Sequence, residues 1–94
     1  MTKEIILYRL NIDEDSLLFK QLYCFIERYE KKVKLKTIGA NIGLQYSTVI
    51  RHVERFKGML DVGDEQAVSL YNDFKYWEKC NLTAKKDTFT TITK

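Results

Sequence analysis

The chain has 94 residues, of which 45% are hydrophobic and 31% charged, and its formal net charge is +3. This composition is ordinary for a globular protein and predicts a single domain over residues 1–94. No run approaches the ~18 apolar residues of a membrane span. The N-terminus also lacks the long apolar region of a signal peptide. We therefore expect a cytoplasmic protein without a membrane partner.

The residue types argue against an enzyme or a metalloprotein. Cys24 and Cys80 lie far apart, and His52 is the single histidine, so a Cys/His zinc site cannot be assembled. The sequence contains no phosphate-cradling glycine loop and no nucleophile elbow. We expect no catalytic residues, no bound metal and no cofactor, with both cysteines reduced and His52 packed at the edge of a helix.

In the N-terminal third, the sequence predicts a strand and then a helix. Residues 4–12 are rich in β-branched and aromatic types, which favours a strand. Asp13–Ser16 form a polar break that suits a helix start. Over 16–31, apolar residues recur at spacings of three and four, which predicts a helix with one apolar stripe. Residues 31–36 alternate lysine with apolar residues, and either a short strand or a loop fits them.

Residues 38–56 predict two helices joined by a glycine turn. Ile38 and Ile42 lie one helical turn apart, and Gly43 stands where the chain must leave the first helix in a left-handed conformation. Leu44 is expected to fill the angle between the helices. The second helix is expected to bury the apolar stripe Val49, Val53 and Phe56, which recurs at i, i+4 and i+7.

After this unit, two interpretations compete for residues 59–71. Period two gives a hairpin around Gly63 with a following helix from about Asn72 to about Ala84, and we favour it. Period 3.6 instead makes Asp64 the cap of a helix with Ala67, Leu70, Tyr71, Phe74 and Trp77 inward. Residues 85–94 are β-prone, as an edge strand or a frayed tail.

The segment Ile38–Phe56 resembles the helix-turn-helix of bacterial and phage transcriptional regulators. Two positions depart from that pattern, because Gly39 stands where alanine is usual and Gln45 where a capping serine or threonine is usual. The resemblance, with the expected hairpin, implies a mainly α fold with a small β component. We expect a winged helix-turn-helix with a three-helix core, a hairpin and a C-terminal helix, and with the helix-turn-helix unit at about 37–57.

Charge distribution supports a nucleic-acid partner for the same segment. Residues 31–58 carry seven basic residues and one acidic residue, a net charge of +6, and local positive charge attracts phosphate. The outward face of the second helix would supply the contacts. Expected base contacts are Gln45, Tyr46, Ser47, Ile50 and Arg51, and expected phosphate contacts are Lys34, Lys36, Thr48, Arg55 and Lys57.

The function that this pattern favours is sequence-specific binding of double-stranded DNA in transcriptional regulation, by a homodimer. Two alternatives remain open at this point. One is a plasmid or phage replication or segregation protein that uses the same fold. The other is a protein–protein interaction module on a helix-turn-helix scaffold, with Tyr46, Ile50 or the acidic segment 59–81 binding a partner.

Overall fold

The computed structural model describes the backbone of residues 2–92 and the side chains of residues 2–80. Five helical segments follow one another, and no strand occurs in the described backbone. α1 starts as Thr2–Glu4 and continues as the π-helical segment Ile5–Arg9; α2 is Leu17–Phe25 with a π-helical continuation, Ile26–Glu30. The remaining helices are α3, Leu35–Ile42, α4, Tyr46–Asp61, and α5, Glu65–Ile92.

The prediction of a winged helix is therefore wrong, because the segments expected to form its strand and its hairpin form helices and turns instead. The predicted strand at 4–12 is helical as far as Arg9 in α1, where the adjacent Ile5 and Ile6 are both fully buried, and residues 10–12 leave the helix as a loop. A strand would send these two side chains to opposite faces. As part of a helix, the segment packs on α2 and α5 and buries both.

The predicted hairpin at 59–71 is the end of α4, a turn and the start of α5. The alternative interpretation, with Asp64 as a cap, is confirmed: Asp64 Oδ2 accepts the backbone N–H of Ala67 at 3.0 Å. Ala67 and Phe74 are buried, whereas the β-branched Val62 is 80% exposed. The 3.6-residue apolar stripe thus decides the structure over the local β-propensity.

Three further predictions are settled by the backbone. The helix at 16–31 is confirmed, and Ser16 caps it by accepting the N–H of Phe19 at 3.1 Å. Of the two interpretations of 31–36, the loop is right, because no strand forms before α3 begins at Leu35. The helix predicted from about Asn72 lies within α5, and the β-prone tail is helical as far as Ile92 because α5 continues without a break. Residues 93–94 lie outside the described backbone.

α2 is the central helix of the core. All six residues from Gln21 to Ile26 are buried, since α1, α4 and α5 pack around this helix. The Phe25 ring lies 5.1 Å from the Phe56 ring on α4 and 5.8 Å from the Tyr71 ring on α5, between centroids. The Cys24 thiol is fully buried, which raises its pKa to about 12, and Cys80 is half-buried; both are free thiols.

Polar contacts fasten the C-terminal end of α2 to α5. Glu30 accepts hydrogen bonds from the Tyr71 hydroxyl and from Lys75 Nζ, each at 2.5 Å, and Lys31 pairs with Glu78. The Lys75 ammonium, followed by the Tyr71 hydroxyl, lowers the pKa of Glu30. We refer to these five residues as the α2–α5 junction.

Within residues 2–92, no helix combines the length and the apolar character that a membrane crossing requires.

Candidate nucleic-acid interface

The turn between α3 and α4 holds these helices close together. Gly43 ends α3 with φ +70°, the left-handed conformation predicted for it, and the N–H of Leu44 bonds to the Gly39 carbonyl at 2.8 Å. A β-carbon at Gly39 would lie 2.4 Å from the Leu44 backbone oxygen and 3.3 Å from the Val49 side chain. Glycine at position 39, where the helix-turn-helix pattern usually has alanine, is therefore required by the close approach of the turn.

The buried side of α4 follows the predicted stripe. Val49 and Phe56 are fully buried, Val53 is 5% exposed, and Ile38 of α3 is fully buried beside them. Since this side of α4 faces the core, the opposite side faces outward along the whole helix. α4 ends at Asp61, beyond the end at 57 predicted for the unit.

The N-terminal end of α4 is open to solvent. Gln45 occupies the capping position with extended backbone, φ −75° and ψ 155°, but its side chain makes no capping hydrogen bond. Tyr46 is 52% exposed, and Gln45 and Ser47 are also exposed. The first turn of α4 thus lacks the side-chain acceptor that would satisfy one of its backbone N–H groups.

One row of residues runs along the outward side of α4. Ser47, Arg51 and Arg55 are spaced by four residues, so they lie on one face, and all three are exposed. Among the described side chains, no carboxylate forms an ion pair with either arginine. The exposed Glu54 and Asp61, two helical turns apart, are the acidic residues on this side of the helix.

The lysines of the predicted phosphate set fall into two groups. Lys34 and Lys36 are exposed, one immediately before α3 and the other in its first turn. Lys57 is exposed but pairs with Asp61 at 3.1 Å, one helical turn further along α4. This contact raises the pKa of Lys57 and partly neutralises its charge, so its attraction for a phosphate is weaker than the sequence suggested.

Two predicted contact residues are less accessible than expected. Thr48 and Ile50 are half-buried. Ile50 lines a shallow cavity of about 270 Å³ between α4, the start of α3 and the end of α2. Arg28 and Tyr29 of α2 line the same cavity, so α2 borders the outward face of α4 on this side.

Lys20 of α2 is a cation that acts on His52 of α4, which the sequence did not predict. His52 is 9% exposed, packed as predicted, and burial lowers its pKa. The positive charges of Lys20, Arg51 and Arg55, in that order, lower the same pKa further. Lys20 of α2 and the two arginines of α4 therefore all act on the charge of His52. Lys20 lies off the apolar stripe of α2, so its effect on His52 does not follow from spacing.

The described residues contain no group of three His, Cys, Asp or Glu side chains that could hold a metal ion. Comparisons with protein-family models, with curated proteins and with solved structures find no match to this chain.

Proposed function

We propose that this chain binds double-stranded DNA through the outward face of α4 and regulates transcription. The observation that carries the proposal is the exposed row Ser47, Arg51 and Arg55, on a helix whose opposite side is fixed in the core. The arginines have no ion-pair partner among the described side chains, so their charges are available to a ligand. The regulatory role follows from the resemblance of residues 38–56 to transcriptional regulators.

The chemistry of this face suits a duplex in its major groove. Arg51 can bond both acceptors on the edge of guanine, and Gln45 can bridge two groups of adenine. Ser47 and the uncapped N–H groups beside it suit a phosphate at the start of α4. Lys34 and Lys36 beside this face, with Arg55 at the end of its row, would contact the DNA backbone.

A homodimer is part of the proposal. α4 has 16 residues and is about 24 Å long, so a single copy reads only a few base pairs. Two copies on half-sites about 34 Å apart would double the contacts and add sequence selectivity. The mass of the protein–DNA complex measures this stoichiometry directly.

The test is a binding titration against duplexes of random sequence over a series of salt concentrations. We expect a complex at low salt whose affinity falls steeply as salt rises. Arg51→Ala should relax base preference and cost about 1 to 3 kcal/mol of binding free energy on a selected site. Lys36→Ala should weaken all sequences alike and make the salt dependence shallower.

Lys79→Ala is the matched control, because Lys79 is exposed on α5 and outside the proposed interface. The control should bind like the wild type. Absence of any complex at low salt, or equal behaviour of Arg51→Ala and Lys79→Ala, would overturn the proposal.

A further inference from the structure

The shallow cavity beside α4 is formed by three helices. Its volume is about 270 Å³. Sites for drug-sized ligands measure roughly 300 to 1,000 Å³, so this cavity suits a smaller molecule. Its lining comes from the end of α2, the start of α3 and the middle of α4: Arg28, Tyr29, Leu35, Ile50, Val53 and Glu54. These residues meet only in the folded chain, so a ligand at this place would bind the native state.

The floor of the cavity is apolar and is held by the core. Val53 is 5% exposed, so the cavity reaches the edge of the core, and Leu35 and Ile50 are half-buried beside it. Tyr29 is 44% exposed, but its ring lies 4.9 Å from the ring of the buried Phe25, between centroids. The aromatic wall is thus fixed on the core and still leaves apolar surface that a ligand can cover.

Two opposite charges border this apolar floor. Arg28 of α2 and Glu54 of α4 are both exposed, and although they line the same cavity they do not pair with each other. On α4, Arg51 and Lys57 lie one turn to either side of Glu54, and neither pairs with it. Lys57 pairs with Asp61 instead. Within residues 2–80, the guanidinium of Arg28 and the carboxylate of Glu54 therefore remain available to a ligand.

We propose that this cavity binds a free amino acid with an apolar side chain. The two charges match the two ends of such a zwitterion. The Arg28 guanidinium can hold the carboxylate through two parallel hydrogen bonds, and Glu54 can accept a hydrogen bond from the ammonium. The apolar side chain would pack against Tyr29 and the floor. The DNA contacts proposed above come from other residues, so this inference does not depend on DNA binding.

Titration with phenylalanine and with leucine, followed by NMR, tests the site. We expect shifts in the signals of Tyr29, Leu35 and Ile50, with a dissociation constant on the order of 0.1 to 1 mM for a small ligand in an open cavity. The indole signal of Trp77, the single tryptophan, should not move, because Trp77 packs against Arg9 of α1 away from the cavity. If neither amino acid shifts these signals at concentrations well above the expected constant, the proposal is overturned.

Two analogues show which parts of the amino acid are recognised. N-acetylphenylalaninamide has the same side chain without either charge, and glycine has both charges without the side chain. Each should bind roughly ten-fold more weakly than phenylalanine, because each loses one of the two contributions. Binding of N-acetylphenylalaninamide equal to that of phenylalanine would show that the cavity takes the apolar side chain of a peptide. Equal binding of glycine would show that the apolar floor is not used, and either result refutes the proposal.

Variants of the two charged residues test their roles directly. Arg28→Gln and Glu54→Gln change exposed positions, and an unfolding curve for each variant shows whether the fold is retained. Each should raise the dissociation constant for phenylalanine roughly five- to thirty-fold, because one charge-assisted hydrogen bond is lost. Lys79→Gln on α5 is the matched control and should leave the constant unchanged. Wild-type affinity in both Arg28→Gln and Glu54→Gln would contradict the proposed recognition of the zwitterion.

Thermal unfolding gives a second measurement of the same binding. A ligand that binds only the native state stabilises it in proportion to its occupancy. Phenylalanine should therefore raise the unfolding temperature of the wild type and of Lys79→Gln equally, and that of Arg28→Gln and Glu54→Gln less. An equal rise in all four proteins would show that phenylalanine acts at another place.

Discussion

The turn between α3 and α4 and the turn between α4 and α5 close in the same way but lead into different helix starts. Each contains a glycine with positive φ, Gly43 at +70° and Gly63 at +75°. In each, the next residue donates its N–H to a carbonyl five residues earlier, from Leu44 to Gly39 at 2.8 Å and from Asp64 to Met59 at 2.9 Å.

The difference lies in the residue that begins the following helix. Asp64 caps α5 with its own carboxylate, whereas Gln45 leaves the start of α4 without a side-chain cap. The turn before α5 thus supplies a side-chain acceptor for a backbone N–H group of its own helix. The turn before α4 supplies none, so the first N–H groups of α4 lie beside exposed residues of the candidate interface without a side-chain cap. The comparison teaches that two turns closed by the same kind of backbone bond can lead into one helix start that its own side chain caps and another that stays open.

Gly39→Ala should produce the largest loss and separate the two turns most clearly. The added β-carbon would lie 2.4 Å from the Leu44 backbone oxygen, and the α3–α4 turn must move to accommodate it. We expect a loss of about 2 to 3 kcal/mol in the free energy of unfolding, measured by urea denaturation. The control is Gly58→Ala in the exposed last turn of α4, where no atom lies within 4 Å and a gain of about 0.5 to 1 kcal/mol is expected.

Gly43→Ala and Gly63→Ala should cost similar amounts, about 1 to 2 kcal/mol each, because both glycines adopt the left-handed conformation with open space around the site. Thermal or urea unfolding of the two variants measures this equality directly. A loss at one glycine several times that at the other would contradict the view that the turns are equivalent in geometry.

The caps should respond differently. Asp64→Ala should lose about 1 kcal/mol of stability, whereas Gln45→Ala should change it by a few tenths at most, because no capping bond is broken there. Gln45→Asp should stabilise the protein through a new cap and weaken DNA binding through its negative charge. Denaturation and the binding titration together measure both effects. A large loss of stability in Gln45→Ala would show that the Gln45 side chain does stabilise the start of α4.

The smallest effect is expected from a pH series, which distinguishes the turns from the α2–α5 junction. The folded-state pKa of Glu30 lies below its usual value, so its contribution is present above about pH 4.5 and is lost as pH falls through the folded pKa. Glu30→Gln should lower stability by about 1 kcal/mol or less at pH 7 and converge with wild type in acid. Asp61→Asn, in the exposed Lys57–Asp61 pair, should lower the stability less than Glu30→Gln does. If the stability loss of Glu30→Gln persists below the folded-state pKa of Glu30, the loss comes from packing and not from the charge of Glu30.

Periodicity predicted the parts of the fold where one pattern dominates. The stripe of α2, the left-handed Gly43 and the buried Val49 and Phe56 all follow from spacing alone. Residues 4–12 and 59–71 were misjudged because short β-branched runs fit either a strand or a buried helix. Their structure depends on what covers them, as when α2 and α5 together bury Ile5 and Ile6.

Only the part of the candidate site that lies on a single helix, α4, was predictable from the sequence. The exposure of Arg51 and Arg55 follows from the position of the buried stripe on the same helix. The pairing of Lys57 with Asp61 and the cavity beside Ile50 depend on side-chain packing that spacing does not encode. Function itself was not deducible from the fold, since a helical scaffold can carry many kinds of site.

The contrast between the two cysteines has a practical consequence. Thiol-reactive reagents attack the thiolate, and a fully buried thiol with a pKa of about 12 supplies almost none at neutral pH. Cys80, which is half-buried on α5, is the thiol that such a reagent can reach. A maleimide fluorophore should therefore modify the native chain at one position. Energy transfer from that fluorophore to a labelled duplex would then locate α5 relative to the DNA without any engineered cysteine.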